Sequence, residues 1–395
     1  MAERPRERVK LHPVVGHQDL LQALAAAYAR GSLPSTLLLH GPKGVGKQRV
    51  ALWLGQLLAC EAPSPAGPCA LCPSCRMALG VEHPDLHWYF PLARPKGGSG
   101  ERLVGALEDA RAKALAERRS EPIRASYDDE LRGLYLGVVQ NIRSRAYLRP
   151  TMANGQIFIV GDAEMLVSQE ASQEAANALL KLLEEPPGAS RFILTSSEPG
   201  RLLPTIRSRT VSIHLTPVPV ADVEAFLVDG VSADPNEAAW AAALSQGAIG
   251  RALGFLSDGD AKGPLEALRR KAYVLVDAAL SDSPVTGHSV ALSYSPAGAR
   301  KLMDLFAFVE EWLRDLGAVA SGAGDAVFNH DARPRLTEIV SRSGITANDL
   351  ALAISAVEEA RELARGNVNP QLVISGLIRS IRSRVVDGPL MEMTP

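Results

Sequence analysis

Apolar positions fall in short runs at the start of the chain and at helical spacing later. Leu37-Leu38-Leu39, within residues 35–40, reads as a buried strand, and so do QIFIV (156–160), RFILTS (191–196) and TVSIHL (210–215). HPDLHWYF (83–90) reads as another short strand. Between these runs the period changes to that of helices. Residues 11–30 predict a short extended lead and then a helix, and 47–60 carries Val50, Leu54, Leu57 and Leu58 on one helical face. A further helix is predicted over 168–185, stopped by Pro186-Pro187. Buried strands alternating with helices predict an α/β domain built on a parallel sheet covered on both faces. Ligands of such sheets bind at the carboxyl ends of the strands, where Gly41–Lys47, Asp162 and Ser196-Ser197 all fall.

After TPVPV (216–220) the strand pattern stops. Short helices are expected over 221–257, and a helical region from about 262 onward. Within it, 302–316 repeats Leu302, Leu305, Val309, Trp312, Leu313 and Leu316, and 347–365 starts after Thr346 with Asp349 placed to complete a capping box. The expected domains are therefore 1–217, a small helical lid at 218–261, and an all-α region at 262–395. Residues 93–134 interrupt the first domain. ARPKGGSG (93–100) is loop-like, and 101–119 is a charge-rich helix with a thin apolar stripe, so this stretch predicts a surface insertion. Its charges, Arg118-Arg119 and Asp128-Asp129-Glu130, are expected on a solvated face.

Composition narrows the class. The 395 residues are too many for one ordinary core, and 46% hydrophobic with 22% charged residues is usual for a folded, water-soluble chain. A formal net charge of −2 argues against a chain coated overall by nucleic acid. The opening MAERPRERVK has no apolar core behind it, and no uninterrupted apolar stretch is long enough to span a bilayer, so a cytoplasmic location is the expectation.

The chemistry concentrates in three places. GPKGVGK (41–47) has the glycine and lysine spacing of a phosphate-binding loop between a strand and a helix. Gly41, Gly44 and Gly46 would turn backbone N–H groups inward, and Lys47 would add a point charge. The next residue, Gln48, has no hydroxyl for a magnesium ion, and Asp162, at the end of the 156–160 strand, is followed by Ala163 rather than a carboxylate. Glu164 lies one position too late, so hydrolysis is not expected and ATP binding is doubtful.

All four cysteines lie in one cluster, Cys60, Cys69, Cys72 and Cys75, which points to a structural metal rather than disulfides. Four thiolates suit tetrahedral Zn²⁺; an iron–sulfur cluster and uncoordinated thiols are the alternatives. His83 and His87 are expected at the surface. The third place is the run Arg201, Arg207, Arg209, a solvated basic loop or the source of an arginine that reaches a neighbour's γ-phosphate.

Together these residues resemble the clamp loader branch of the AAA+ ATPases, and within it the delta-prime family of bacterial DNA polymerase III. Val14-Val15-Gly16-His17 is similar to the family's segment beside the adenine, Asn177 through Pro187 to a specific family helix, Ser208-Arg209-Thr210 to its Ser-Arg-Cys motif, and Asn369-Pro370-Gln371-Leu372 to a signature of its C-terminal collar. The ATPase gamma/tau subunits share the zinc module, but they would have Thr in place of Gln48, Asp-Glu in place of Asp162-Ala163, and an arginine at Gly250, where this chain has its arginine one step on, at Arg251. The resemblance implies a hetero-pentamer with gamma/tau and delta subunits that loads a sliding clamp on primed DNA, with Arg209 completing a gamma/tau ATP site in trans. An active, gamma/tau-like ATPase of a clamp or helicase loader is the alternative.

Overall fold

The computed structural model describes residues 11–95, 101–120, 132–166, 174–259, 261–281, 283–296, 298, 302–366 and 368–385. The chain divides into two compact units, 1–253 and 254–395.

In the first unit the elements run α1 (Gln18–Ala29), β1 (Thr36–His40), α2 (Lys47–Ala59), α3 (Pro73–Leu79), β2 (Leu86–Tyr89), β3 (Leu92–Ala93), α4 (Glu101–Ser120), β4 (Arg132–Gly133), α5 (Leu136–Ala146) and β5 (Ile157–Val160). They continue with α6 (Glu174–Glu184), β6 (Arg191–Ser196), α7 (Pro204–Arg207), β7 (Val211–His214), α8 (Val220–Val231) and α9 (Pro235–Leu244); α10 (Ile249–Phe255) crosses the unit boundary. Five strands form one parallel sheet in the order β2-β5-β6-β1-β7. Every residue of β5 is buried, as are Leu37, Leu38 and Leu39 of β1, because helices cover both faces. One cluster packs Leu37, Leu39, Leu54, Leu57 and Ile159 together, and the other packs Leu38, Phe158, Leu179, Phe192 and Leu194. The parallel α/β architecture expected from the run pattern is present, with β7 as a largely exposed edge.

The stretch expected as a solvated insertion is built differently. The helix at 101–120 forms, but Leu107 and Leu115 are buried, one in each core cluster, so α4 wraps the edge of the sheet beside β2. The Arg118 guanidinium lies 4.7 Å from the Trp88 ring centre and 3.9 Å from that of Phe90, and Arg119 donates to the Val81 carbonyl. Arg118-Arg119 therefore do not form a free charged face. Asp128-Asp129-Glu130 lie outside the described residues, as do residues 168–173 of the helix expected over 168–185.

Histidines 83 and 87 are not at the surface either: they are 4% and 6% exposed. His87 bonds Gln156 at 2.7 Å and stacks on Phe158, so its partners come from a strand far along the chain. Asp85, 1% exposed, accepts the N–H groups of Thr151, Met152 and Ala153 at 2.6–2.8 Å and thereby fixes the approach to β5.

The second unit is helical: α11 (Pro264–Leu280), α12 (Pro284–Leu292), α13 (Met303–Ala320), α14 (Arg333–Ser343), α15 (Ala347–Arg365) and α16 (Pro370–Val385). The apolar face read over 302–316 is buried in α13, and the Thr346–Asp349 capping box forms at the start of α15. Arg269 bonds Glu266, Asn329 and Asp331, and Asp315 accepts the Phe328 and Asn329 N–H groups, so these buried charges are ion-paired or hydrogen-bonded. No described helix is long and apolar enough to cross a membrane.

Candidate functional site

The loop from β1 to α2 has the fold its glycines suggest. Gly41, Gly44 and Gly46 all have positive φ, and a Cβ at Gly41 would stand 2.3 Å from the Leu215 carbonyl oxygen. His17 holds the loop from outside through a 3.2 Å contact between Nε2 and the Val45 carbonyl.

The interior of the cleft is occupied by the protein's own groups. Lys47 is 5% exposed, and its ammonium donates to the Gly41 carbonyl at 2.9 Å, the Pro42 carbonyl at 2.7 Å and Ser197 Oγ at 2.9 Å. An ammonium has three hydrogens, so all are used, and a phosphate would have to displace them. Burial lowers the Lys47 pKa to about 8 against the opposing pull of Asp162 and Glu164.

Gln48 lies between strands. Its Nε2 donates to Asp162 Oδ2 at 2.9 Å, and its Oε1 accepts from Trp88 Nε1 at 3.1 Å. A Cβ at Gly161 would come within 2.9 Å of the Gln48 amide, so Gly161 is what lets the side chain lie across the end of β5. Burial raises the Asp162 pKa, with the Glu164 charge adding to it and Lys47 opposing. Glu164 Oε1 accepts the Ser197 N–H at 2.9 Å, while its Oε2 is buried without a partner. The residue after Asp162 is Ala163, fully buried, so no carboxylate stands there to orient a water.

The roof is closed as well. The Gly250 N–H donates to the Gly44 carbonyl at 2.8 Å, and a Cβ at Gly44 would stand 2.9 Å from the Arg251 nitrogen. Glycine at both positions allows backbone to rest on backbone. Arg251 Nε turns away to the Leu244 carbonyl at 3.1 Å.

Arg209 lies elsewhere. It sits between α7 and β7, donates Nη1 to the Thr205 carbonyl at 2.9 Å and pairs with Glu184, on the rim of a groove lined by Pro34, Ser35, Thr36, Leu183 and Val211. This is the amino-terminal end of β1, whereas Lys47 follows its carboxyl end. Five strand residues at about 3.3 Å each put more than about 13 Å between them. Arg209 and Lys47 therefore serve different surfaces. Arg201 pairs with Glu198 on the surface.

The third feature is the cysteine cluster between α2 and β2. The Sγ atoms of Cys60, Cys69, Cys72 and Cys75 all lie within 4.8 Å of one another, with no disulfide among them. Metal–sulfur bonds of about 2.3 Å in a tetrahedron require S···S separations of about 3.8 Å, and Cys69 and Cys75 stand 3.9 Å apart. Backbone N–H groups of Cys69, Cys72 and Cys75 point at the sulfurs of Cys60, Cys69 and Cys72 at 3.3–3.4 Å, and the Cys72 N–H draws the Cys69 pKa down to about 6. The donor set fits a four-thiolate ion.

Spacing along the chain pointed to the loop, Asp162, the cysteines and Arg209. It also placed Ser197 at a strand's carboxyl end, but it did not point to Trp88 or Arg118, which come from distant segments. The glycine at 250 read as a lost arginine and turns out to be a packing contact.

Residues 16–219 match the family described as DNA polymerase III, delta subunit. The chain is 34% identical over 204 residues to the DNA polymerase III subunit delta-prime of Pseudomonas aeruginosa, covering 51% of this chain and 49% of that protein. It is 28% identical over 214 residues to the gamma/tau subunit of Mycobacterium tuberculosis, covering 54% of this chain and 30% of that one. The chain thus spans about half the length of the first relative and under a third of the second. A gamma subunit-related protein from Thermotoga maritima aligns with 93% of this chain and 99% of its own at 16% identity and a TM-score of 0.36.

Proposed function

The chain belongs to the DNA polymerase III, delta subunit family, and from that premise we propose that it is a non-hydrolysing, delta-prime-type subunit of the clamp loader. In this reading it works in a hetero-oligomer with gamma/tau and delta subunits that places a sliding clamp on primed DNA in the cytoplasm. The observation that carries the reading is Gln48, whose amide fills the space beside Asp162 where an ATPase of this class holds its metal. Lys47, saturated by loop carbonyls and Ser197, and Gly250, seated on Gly44, support it.

Arg209 is the residue we assign to a neighbour's reaction. It lies on an outer rim in a half-exposed ion pair with Glu184, from which its guanidinium can be released to a phosphoryl group. Supplied in trans to a gamma/tau ATP site, such an arginine contributes about 10³–10⁵ in rate. We assign Zn²⁺ to Cys60, Cys69, Cys72 and Cys75, where it joins the end of α2 to α3; four protein ligands leave no open position, so its role is structural.

The test is a steady-state ATPase assay on the purified chain, freed of gamma/tau. No turnover above background is expected. Turnover abolished by Lys47→Ala would instead identify an active ATPase.

A further inference from the structure

The contacts of α4 point to a role for the helix inserted between β3 and β4, separate from any role of Arg209. Three observations converge. First, α4 is fastened to the edge of the sheet by polar as well as apolar contacts: Arg111 donates to the Trp88 carbonyl at 3.3 Å, lies 4.7 Å from the Tyr89 ring centre and pairs with Glu108, which also receives Arg145 at 2.9 Å. Leu115 is buried in the same cluster as Trp88 and Phe90. Second, the Arg118 guanidinium lies on the Trp88 and Phe90 rings, and the indole N–H of Trp88 donates to Gln48. Third, Gln48 donates to Asp162, whose carboxyl group shares the buried cleft with Glu164 and its unpartnered Oε2.

The contacts form one chain, Arg118–Trp88–Gln48–Asp162, from the inserted helix to the cleft. The buried Glu164 carboxyl and the half-buried Asp162 carboxyl beside it need positive charge or donors nearby. In an ATPase of this fold a divalent cation supplies that need. Here Gln48 supplies a donor, and the Arg118 charge adds to that of Lys47.

We propose that α4 is an intramolecular lock on the cleft: Arg118 pins the Trp88 indole against Gln48, and the braced amide takes both the place and the neutralising role of a divalent cation beside Asp162. Gln48 alone is a flexible side chain that could swing out; held by the indole it cannot. Removing the brace turns the carboxylate pair into a divalent-cation site, with Asp162 and Glu164 as its oxygen ligands.

The test uses the full chain and the magnesium ion alone. Melting midpoints are recorded for wild type, Gln48→Thr, Arg118→Met, Gln48→Thr/Arg118→Met and the triple variant with Asp162→Asn, with 10 mM MgCl₂ against NaCl of equal ionic strength. Wild type is expected to ignore the ion, because the braced amide fills its place; Arg118→Met, whose amide can swing out, and Gln48→Thr, which has none, are each expected to respond. Gln48→Thr/Arg118→Met is expected to rise by about 3–6 °C with magnesium, the shift of a site filled roughly tenfold above its Kd. Adding Asp162→Asn is expected to abolish the rise. Where Arg118→Met does not fold, Arg118→Lys, which keeps the charge and loses the planar contact, replaces it and gives a smaller rise of the same sign. A magnesium response in wild type, no response in Arg118→Met, or a response that survives Asp162→Asn each overturns the proposal.

Discussion

Replacing Gln48 by Leu removes the amide that fills the cleft and keeps the side chain's approximate volume, so the loss measured is polar rather than packing. Two hydrogen bonds disappear. The one to Asp162 is charge-assisted and worth about 1.5–3 kcal/mol, and the one from Trp88 about 0.5–1.5 kcal/mol. Trp88 is left buried and Asp162 half-buried, which places the total at about 2–4 kcal/mol. A unit of 253 residues loses about 2–4 °C per kcal/mol, so the midpoint of the first unit is expected to fall by about 5–15 °C.

The pH dependence gives the loss a signature. Burial raises the Asp162 pKa in the folded chain, so ionising it there costs stability as pH rises above its unfolded value. Without the Gln48 donor that cost grows. The gap between Gln48→Leu and wild type is therefore expected to be wider at pH 8 than at pH 5. Urea titrations at both values, followed by near-ultraviolet circular dichroism, measure it. In the Asp162→Asn background the same substitution is expected to cost at least about 1.5 kcal/mol less, the share of the charge-assisted bond. A loss under about 0.5 kcal/mol at both pH values, or strict additivity with Asp162→Asn, refutes the reasoning that Gln48 holds the cleft.

Stripping the cysteine cluster with a strong chelator, or Cys75→Ser, is expected to release one zinc ion per chain by elemental analysis and to lower helical signal from α3; a preparation that holds no metal, or iron, contradicts the assignment. His87 is held neutral by burial, its pKa pushed down to about 4, so the unfolded chain binds the extra proton and stability is lost as pH falls from about 6.5 through 4. The loss is expected to be about 2–3 kcal/mol by urea titration, and His87→Gln is expected to flatten that slope. Asp85→Ala leaves three N–H groups at 151–153 without their acceptor, which predicts a loss of about 2–4 kcal/mol and faster hydrogen exchange at Thr151, Met152 and Ala153.

The parts of the fold that repeat a local rule were readable in the sequence. Buried parallel strands need apolar runs, and Leu37-Leu38-Leu39, Ile157-Phe158-Ile159-Val160 and Phe192-Ile193-Leu194 are such runs. A phosphate-loop turn needs glycine at set positions, and a four-thiolate site needs close cysteine spacing. The cleft's closure follows no local rule. Gln48 meets Trp88 and Asp162, which are 40 and 114 residues away, and no periodicity joins them. The inserted helix misled for a physical reason: its apolar stripe is thin because Arg111 and Arg118 do part of the packing, flat against aromatic rings, where a guanidinium buries as a hydrophobic surface would. His83 and His87 looked like surface residues because their burial depends on Asp85 and on Gln156 across the sheet.

The central claim is that this chain hydrolyses nothing itself and lends Arg209 to a neighbour. The most direct measurement is the DNA-stimulated ATPase of a complex reassembled from gamma/tau, delta and this chain, with wild-type or Arg209→Ala protein, alongside size-exclusion chromatography of each assembly. The account predicts that the Arg209→Ala complex elutes like the wild type while hydrolysis at the one site served falls by about 10³–10⁵, total turnover losing only that site's share because other sites keep their own arginine. Where several gamma/tau sites contribute to turnover, single-turnover hydrolysis isolates the affected one as a slow phase. An intact complex with unchanged hydrolysis in every phase would contradict the account.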